Sequence, residues 1–428
     1  MKQLAITILS ALLRQLARLI IWRFRPGIVG VTGSVGKTSA KLAIAAVLSA
    51  ERSVRWSKGN LNNELGLPLA ILGDWKEQQL ALVSRGEPAG ERRLEKAFFW
   101  LKVILLSAFR IVFGRRSGYP EILVLEYGAD RPGDIKNLLD IARPNLSVIT
   151  AVGDVPVHVE FYSGPEEVAR EKARLIECLP SSSYAILNYD EERVSALADR
   201  TRAHVLTFGF DKGADVRIAN LENRSEGERP VGVAFKLEYG GSHVPVRIDG
   251  VFGKSHAYAS AAAACVGIIF GLNLIKISEA LGAYKPAHGR MELVPGVKYT
   301  YIVDDCYNAS PLSMRSALET LKTLPGKRKV AVLGDMLEIG KYAMDAHEQI
   351  GKIAAETSDH LVTVGPRGKF IAEGARKAGM NKRNIQSFDL AEEARAPVQE
   401  LIRKGDLILI KGSRGMHLER VVEEIKAF

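Results

Sequence analysis

The sequence predicts an α/β protein of two domains, and three observations predict it. Short apolar runs at residues 28–31, 122–126, 146–151 and 184–188 alternate with turn or helix signals, which argues a mostly parallel sheet with helices on both faces. A second strand-and-helix series, at 301–304, 329–333, 360–364 and 407–410, follows a break at Pro286-Ala-His-Gly289. At 428 residues the chain is also too long for one ordinary core.

Residues 4–24 are rich in leucine and isoleucine and contain no acidic residue. Leu9, Leu12, Leu13, Leu16 and Ile20 follow helical spacing, with Arg14, Arg18 and Arg25 on the opposite face. The reading is a basic amphipathic helix over 1–25. No small-residue cleavage site follows it, so no signal peptide is expected. Arginines interrupt it, and a membrane span needs ~20 apolar residues. A second segment, 98–113, lies in an insertion at 75–118 and is apolar except at Lys102 and Arg110. Two readings fit the pair: both helices pack on the main domain, or they form a basic foot on an anionic membrane.

The stretch Ile28-Val-Gly-Val-Thr-Gly-Ser-Val-Gly-Lys-Thr-Ser39 reads as a buried strand, a glycine-rich turn and a helix start. Such a turn aims backbone N–H groups and a helix N-terminus at phosphate. Lys37 adds positive charge, and Thr38 can place a hydroxyl on magnesium. Val31 stands where the strict G-x4-G-K-T pattern has its first glycine, with Gly30 and Gly33 shifted. A nucleoside triphosphate is therefore expected against Gly33, Ser34, Val35, Gly36, Lys37, Thr38 and Ser39. The fold expected is a central P-loop ATPase domain over 26–287, then a Rossmann-like α/β domain over 288–428.

Within the first domain, 216–218, 231–237 and 244–248 alternate and read as an antiparallel patch, with 223–230 as a polar loop. A small-residue helix over 258–269 follows. Hydrophobic residues make up 47% and charged residues 25%, the balance of a folded globular chain. The net charge of +10 points to nucleic acid, a membrane surface or acidic small molecules. No basic run carries interleaved aromatics, so no nucleic-acid partner is expected. Cys178, Cys265 and Cys306 are far apart and lack metal or redox spacing, which reads as reduced thiols in a cytoplasmic protein.

Several single residues stay open on sequence alone. Glu126, at a strand end beside the loop, suits magnesium or solvent about equally. His158 by itself reads as a hydrogen-bonded structural histidine or a ligand. Lys172, in Glu166-Glu-Val-Ala-Arg-Glu-Lys-Ala-Arg-Leu175, reads as part of a solvated charged helix face. Arg290 at the boundary and aspartates after the later strands imply closure of a second domain over the nucleotide.

Taken in order, the motifs resemble the Mur ligases of peptidoglycan synthesis over roughly residues 26–428. They are Thr32-Gly-Ser-Val-Gly-Lys-Thr38, Gly59-Asn-Leu-Asn-Asn-Glu-Leu-Gly66 and Glu126-Tyr-Gly-Ala129, then His158, Lys172 and Gly289-Arg290. Asp305-Cys-Tyr-Asn-Ala309, Gly334-Asp-Met-Leu-Glu338 and Lys411-Gly-Ser-Arg-Gly-Met416 complete the series. The resemblance implies an ATP-dependent amide ligase working through an acyl phosphate. It is most similar to the branch that adds D-alanyl-D-alanine to a muramyl-peptide acceptor. By motif position Thr38 and Glu126 would hold one magnesium ion, and His158 with a carbamylated Lys172 a second. Lys37, Lys172, His158 and Arg290 would be the catalytic set, while His256, Arg290 and Asp305 would contact the nucleotide. Asn60, Asn62, Asn63, Asn308, Lys411 and Arg414 would meet the peptide substrates, and a monomer is expected.

Three departures from the family pattern stand out. Only about 25 residues precede the loop, so a separate UDP-gripping domain is not expected, and a lipid-linked acceptor becomes plausible. Gly253-Lys-Ser-His-Ala-Tyr-Ala259 offers Ser255, His256 and Ala259 where the family usually has a histidine–asparagine pair and a further asparagine. Ser310 replaces a usual asparagine. The motifs also fit a relative that joins a different amino acid, or a membrane-docked ATP-binding module without ligase chemistry.

Overall fold

The computed structural model describes residues 2–83 and 92–427. Residues 84–91 of the expected insertion lie outside the described residues. The first sheet has nine strands: β1 (Gly27–Thr32), β2 (Val54–Trp56), β3 (Ile122–Glu126), β4 (Leu146–Ile149), β5 (Tyr184–Asn188), β6 (His204–Gly209), β7 (Val216–Glu226), β8 (Arg229–Tyr239) and β9 (Ser242–Asp249). Their order is β9-β8-β7-β6-β5-β4-β1-β3-β2. Pairings from β2 through to β7 are parallel, and β7–β8 and β8–β9 are antiparallel. Apart from Gly27 at the start of β1, the strands β1, β3 and β4 are buried along their length because helices cover both faces.

On one face the helices Lys37–Ser49 and Lys254–Ile269 pack against each other through small residues such as Ala40, Ala43, Ala261 and Ala264. The second of these starts four residues before the expected position, at Lys254. On the other face lie Gly66–Leu72 and the two apolar helices, Lys2–Phe24 and Arg93–Phe113. Leu13, Ile20 and Phe24 join Phe99, Val103 and Trp75 in one core above Leu123 and Leu125. Each apolar helix thus packs one face internally. Among the described residues no helix is long and apolar enough to cross a membrane.

The antiparallel patch is longer than its alternating runs suggested. The polar stretch 223–230 is not a loop: β7 continues to Glu226 and β8 begins at Arg229. Gly227, at φ +62°, lets the chain reverse in two residues, so the polar side chains sit on a projecting hairpin.

The second sheet has six strands: β10 (Glu292–Gly296), β11 (Thr300–Asp305), β12 (Arg328–Gly334), β13 (His360–Val364), β14 (Ile385–Phe388) and β15 (Asp406–Lys411). Their order is β10-β11-β15-β12-β13-β14, parallel except for the β10–β11 hairpin. The sheets are tied where the chain passes between them. Phe252 N–H donates to the Met291 carbonyl at 3.1 Å, and Leu293 N–H to that of Gly250 at 2.8 Å. Loops beyond the C-terminal strand ends of both sheets then face each other, with Gly153 against Leu312.

Candidate active site

The site starts with the turn after β1. Gly33 has φ +148°, and a Cβ there would lie 2.1 Å from Thr150 Oγ1. That hydroxyl sits between the carbonyls of Val35 and Thr32, at 2.6 and 3.2 Å, and pins the turn to the end of β4. Ser34 N–H donates to Ala151 at 2.6 Å. Gly36, at φ +86°, opens the helix Lys37–Ser49, whose start has no side-chain cap and no acidic residue. Its first N–H groups therefore face the mouth of the loop ready for an anion. Lys37 Nζ folds back to the carbonyls of Gly33 and Ser34, at 2.7 and 3.3 Å. Burial lowers its pKa, against the pull of Glu126. Ser39 is buried, and its carbonyl accepts from Tyr284.

Pairing of Val31 with Glu126 brings the end of β3 beside this loop. Glu126 is buried, and its carboxylate accepts from Thr38 Oγ1 at 3.2 Å, Lys41 Nζ at 3.0 Å and Asn62 Nδ2 at 3.1 Å. Burial alone would raise its pKa. The lysines Lys41 and Lys37, with the hydrogen bonds, outweigh that and bring it down to about 2. Glu126 is therefore an ionised acceptor, not a solvent-facing carboxylate. Motif reading missed Lys41. Its one signal was the four-residue spacing from Lys37, which puts both on one helix face.

A second cluster lies beyond β4. His158, at φ +70°, approaches Asp130 at 3.3 Å and Glu338 at 2.8 Å, the latter from the second sheet's side. Lys172 is on helix Pro165–Glu177, only 2% exposed, so it is not a solvated charge. Burial, with Lys37 nearby, lowers its pKa to about 7 although Asp130, Glu171 and Asp134 oppose this. Among the described residues no three His, Cys, Asp or Glu side chains form a ready metal cluster.

The second lobe adds cations and an aromatic. Arg290 stands between Gly289 and Met291, both at positive φ, and its guanidinium lies 4.1 Å from the Tyr307 ring centre. Arg414 lies over the same ring at 5.3 Å. Tyr307, another residue the motif reading did not assign, donates its hydroxyl to Asn60 of the first lobe. Arg290 is close enough to the loop to lower the Lys37 pKa.

Other expected contacts fall differently. Lys411 is not an open receptor for a substrate anion: it is 2% exposed, and its ammonium is held by Asp305 at 2.6 Å and the Asn308 carbonyl at 3.0 Å. Asp305 also accepts Met291 N–H, and burial raises its pKa despite Lys411. Asn63 spends its side-chain oxygen on Leu65 and Gly66 N–H, and Asn308 on Ala309 N–H. His256 is fully buried and its Nε2–H donates to the Arg290 carbonyl at 2.8 Å, so it braces the hinge. Burial lowers its pKa to about 4. Ser310 caps helix Pro311–Thr323.

Cations from two lobes converge on a loop built for phosphate, the arrangement of an enzyme that uses a nucleoside triphosphate to activate a second anion. Residues 114–267 match the Mur ligase middle domain, and residues 289–414 match the Mur ligase, glutamate ligase domain. The UDP-N-acetylmuramoyl-tripeptide–D-alanyl-D-alanine ligase of Bacillus subtilis is 29% identical over 96% of this chain and 79% of its own. That of a Synechocystis species is 30% identical over 95% and 76%. The crystal structure of MurF ligase from Thermotoga maritima in complex with ADP superposes with a TM-score of 0.76 at 28% identity, over 97% of this chain and 83% of that one. The chain belongs to the Mur ligase family. It is an ATP-dependent ligase of peptidoglycan precursor synthesis that forms an amide bond.

Proposed function

We propose that the chain joins D-alanyl-D-alanine to the carboxyl group of a muramyl-peptide acceptor, working as a monomer of central domain 26–287 and C-terminal domain 288–428 without a nucleic-acid partner. One observation carries the reading: Lys37 and, from the second lobe, Arg290 meet at one phosphate loop. A carboxylate and a triphosphate repel each other, and fixed positive charge removes that barrier. The acceptor carboxylate attacks the γ-phosphorus and the bond to ADP breaks. The dipeptide amine then attacks the acyl carbon, and orthophosphate leaves with the acyl C–O bond. Lys37 and the uncapped helix start hold the phosphates. Arg290 meets the transferring group, and Asp305, fixed by Lys411, meets the ribose. Asn60 and Arg414 remain at the interlobe surface for peptide.

Glu126 and Thr38 fit magnesium, because an ionised carboxylate and a hydroxyl lie 3.2 Å apart beside the loop. His158 and a carbamylated Lys172 would hold a second ion. Magnesium there supplies charge neutralisation and Lewis-acid polarisation of the phosphoryl group. Lys172 fits carbamylation because a buried amine with a pKa of about 7 is substantially neutral at physiological pH. The neutral nitrogen attacks carbon dioxide, an N–C bond forms and one proton leaves, so a neutral amine becomes an anion. The reading also places the enzyme at the periphery of a membrane.

The expected result with acceptor and ATP is orthophosphate release that depends on D-alanyl-D-alanine and matches a new amide product. ATP turnover that requires a single amino acid and ignores the dipeptide would overturn the choice of substrate. Lys172→Ala is expected to abolish ligation, with added bicarbonate restoring nothing. Full activity in that variant would remove the carbamate.

A further inference from the structure

The two apolar helices leave something unexplained after one face of each is buried. Lys2–Phe24 and Arg93–Phe113 pack against each other, and Phe24 at the end of the first lies beside Gly114, just past the end of the second, and stacks on Tyr119. In the second helix Phe99 and Val103 point into the core. Phe98, Leu101, Leu105 and Phe109 recur at helical spacing on the opposite side and are exposed. Trp22, at 70%, and Phe113, at 70%, extend this apolar surface on the two helices. Exposed apolar surface of this extent marks an interaction site rather than ordinary surface scatter.

Charge selects the partner. The first helix has no acidic residue, and the second has only Glu95, which is paired with Arg92. Exposed cations flank the apolar stripe: Arg18, Arg23 and Arg25 at one helix, Lys102, Arg115 and Arg116 at the other. Large apolar side chains rimmed by cations, on helices that lie flat and cannot span, match the headgroup region of an anionic bilayer. We propose that these two helices form one docking surface for an anionic lipid membrane, with Trp22, Phe98, Phe109 and Phe113 entering the headgroup layer. This deepens the peripheral placement proposed above and does not rest on the ligase chemistry.

The test is flotation of the full chain with vesicles of phosphatidylglycerol and phosphatidylcholine, beside vesicles of phosphatidylcholine alone. The expected result is binding to the anionic vesicles, at least tenfold weaker on neutral ones or at high salt, with a blue shift of tryptophan emission that Trp22→Phe removes. The triple variant Phe98→Ser, Phe109→Ser, Phe113→Ser should lose vesicle binding while keeping ATP-dependent ligation and its thermal midpoint. Equal recovery with and without anionic lipid would overturn the proposal, as would undiminished binding by the triple variant. So would a dimer in light scattering that the triple variant dissolves, since that assigns the surface to a second copy. Loss of ligation in an otherwise vesicle-binding wild-type chain would strike the proposed reaction and leave the docking surface standing.

Discussion

Lys41 shows how a residue acquires a role that its neighbours in sequence do not announce. A lysine on a helix ordinarily reads as solvated. Here Val31–Glu126 pairing places a carboxylate under the helix, and Lys41 is fully buried against it at 3.0 Å. Lys37, Thr38 and Glu126 were legible because a glycine turn and a strand end mark them; Lys41 was not, because only the pairing of non-neighbouring strands buries it. Lys172 is the same case, since its helix face was judged from charge and its burial comes from packing on the first sheet. Removing one partner of a buried ion pair strands the other, which costs about 3–5 kcal/mol. Lys41→Met is expected near the lower end of that range in denaturant unfolding, because Lys37 and Asn62 still support Glu126. It should also weaken ATP binding. The double variant Lys41→Met, Glu126→Gln should recover part of the stability and none of the activity. A single variant as stable as the wild type would show that Lys41 does not hold the carboxylate.

At the scale of an element, the phosphate turn and the β7–β8 hairpin both depend on glycine, with different consequences. Gly33 faces Thr150 so closely that an alanine methyl would enter its hydroxyl, and the backbone there is left-handed besides. Gly33→Ala must therefore move Thr150 and the carbonyls it fixes, and an ATP-analogue titration should show at least tenfold weaker binding, about 1.4 kcal/mol or more. Gly33→Ala with Thr150→Ser should bind no better, since the clashing oxygen stays. Gly227 has open space around it. Alanine there meets only the cost of its φ, about 1 kcal/mol, and should leave binding unchanged. The turn was legible because its residues are few and specialised. The hairpin was not, because polar residues on a projecting two-stranded ribbon have the composition of a loop, and only the register between strands distinguishes the two.

At the scale of the whole molecule, the two strand-and-helix series were readable from the sequence and form two sheets, but what meets between those sheets was not readable. His158 and Glu338 are distant in sequence, as are Asn60 and Tyr307; each pair meets only because loops from two sheets converge. Both lobes also carry a histidine buried without charge. His256 braces the hinge. In the second lobe His347 accepts Met336 N–H at Nε2, 2.9 Å, and donates from Nδ1 to the Ala343 carbonyl, 2.6 Å, a pattern that only the neutral ring satisfies. Burial lowers each pKa from 6.5 to about 4, with Arg290 and Arg367 respectively adding to the effect. The unfolded chain binds these protons below pH 6.5 and the folded chain does not until about 4. Their contribution is thus present above 6.5 and is lost as pH falls through 4, steepening the decline by up to about 1.4 kcal/mol per pH unit for each ring. Asp304, Asp305 and Asp335, raised by burial, act in the opposite sense at the acid end. Urea unfolding between pH 7 and 5 should therefore show falling midpoints. His347→Gln keeps a donor and an acceptor but cannot titrate, so it should start less stable at pH 7 and lose less on acidification. A slope unchanged from the wild type would mean that this histidine does not carry the acid sensitivity of its lobe.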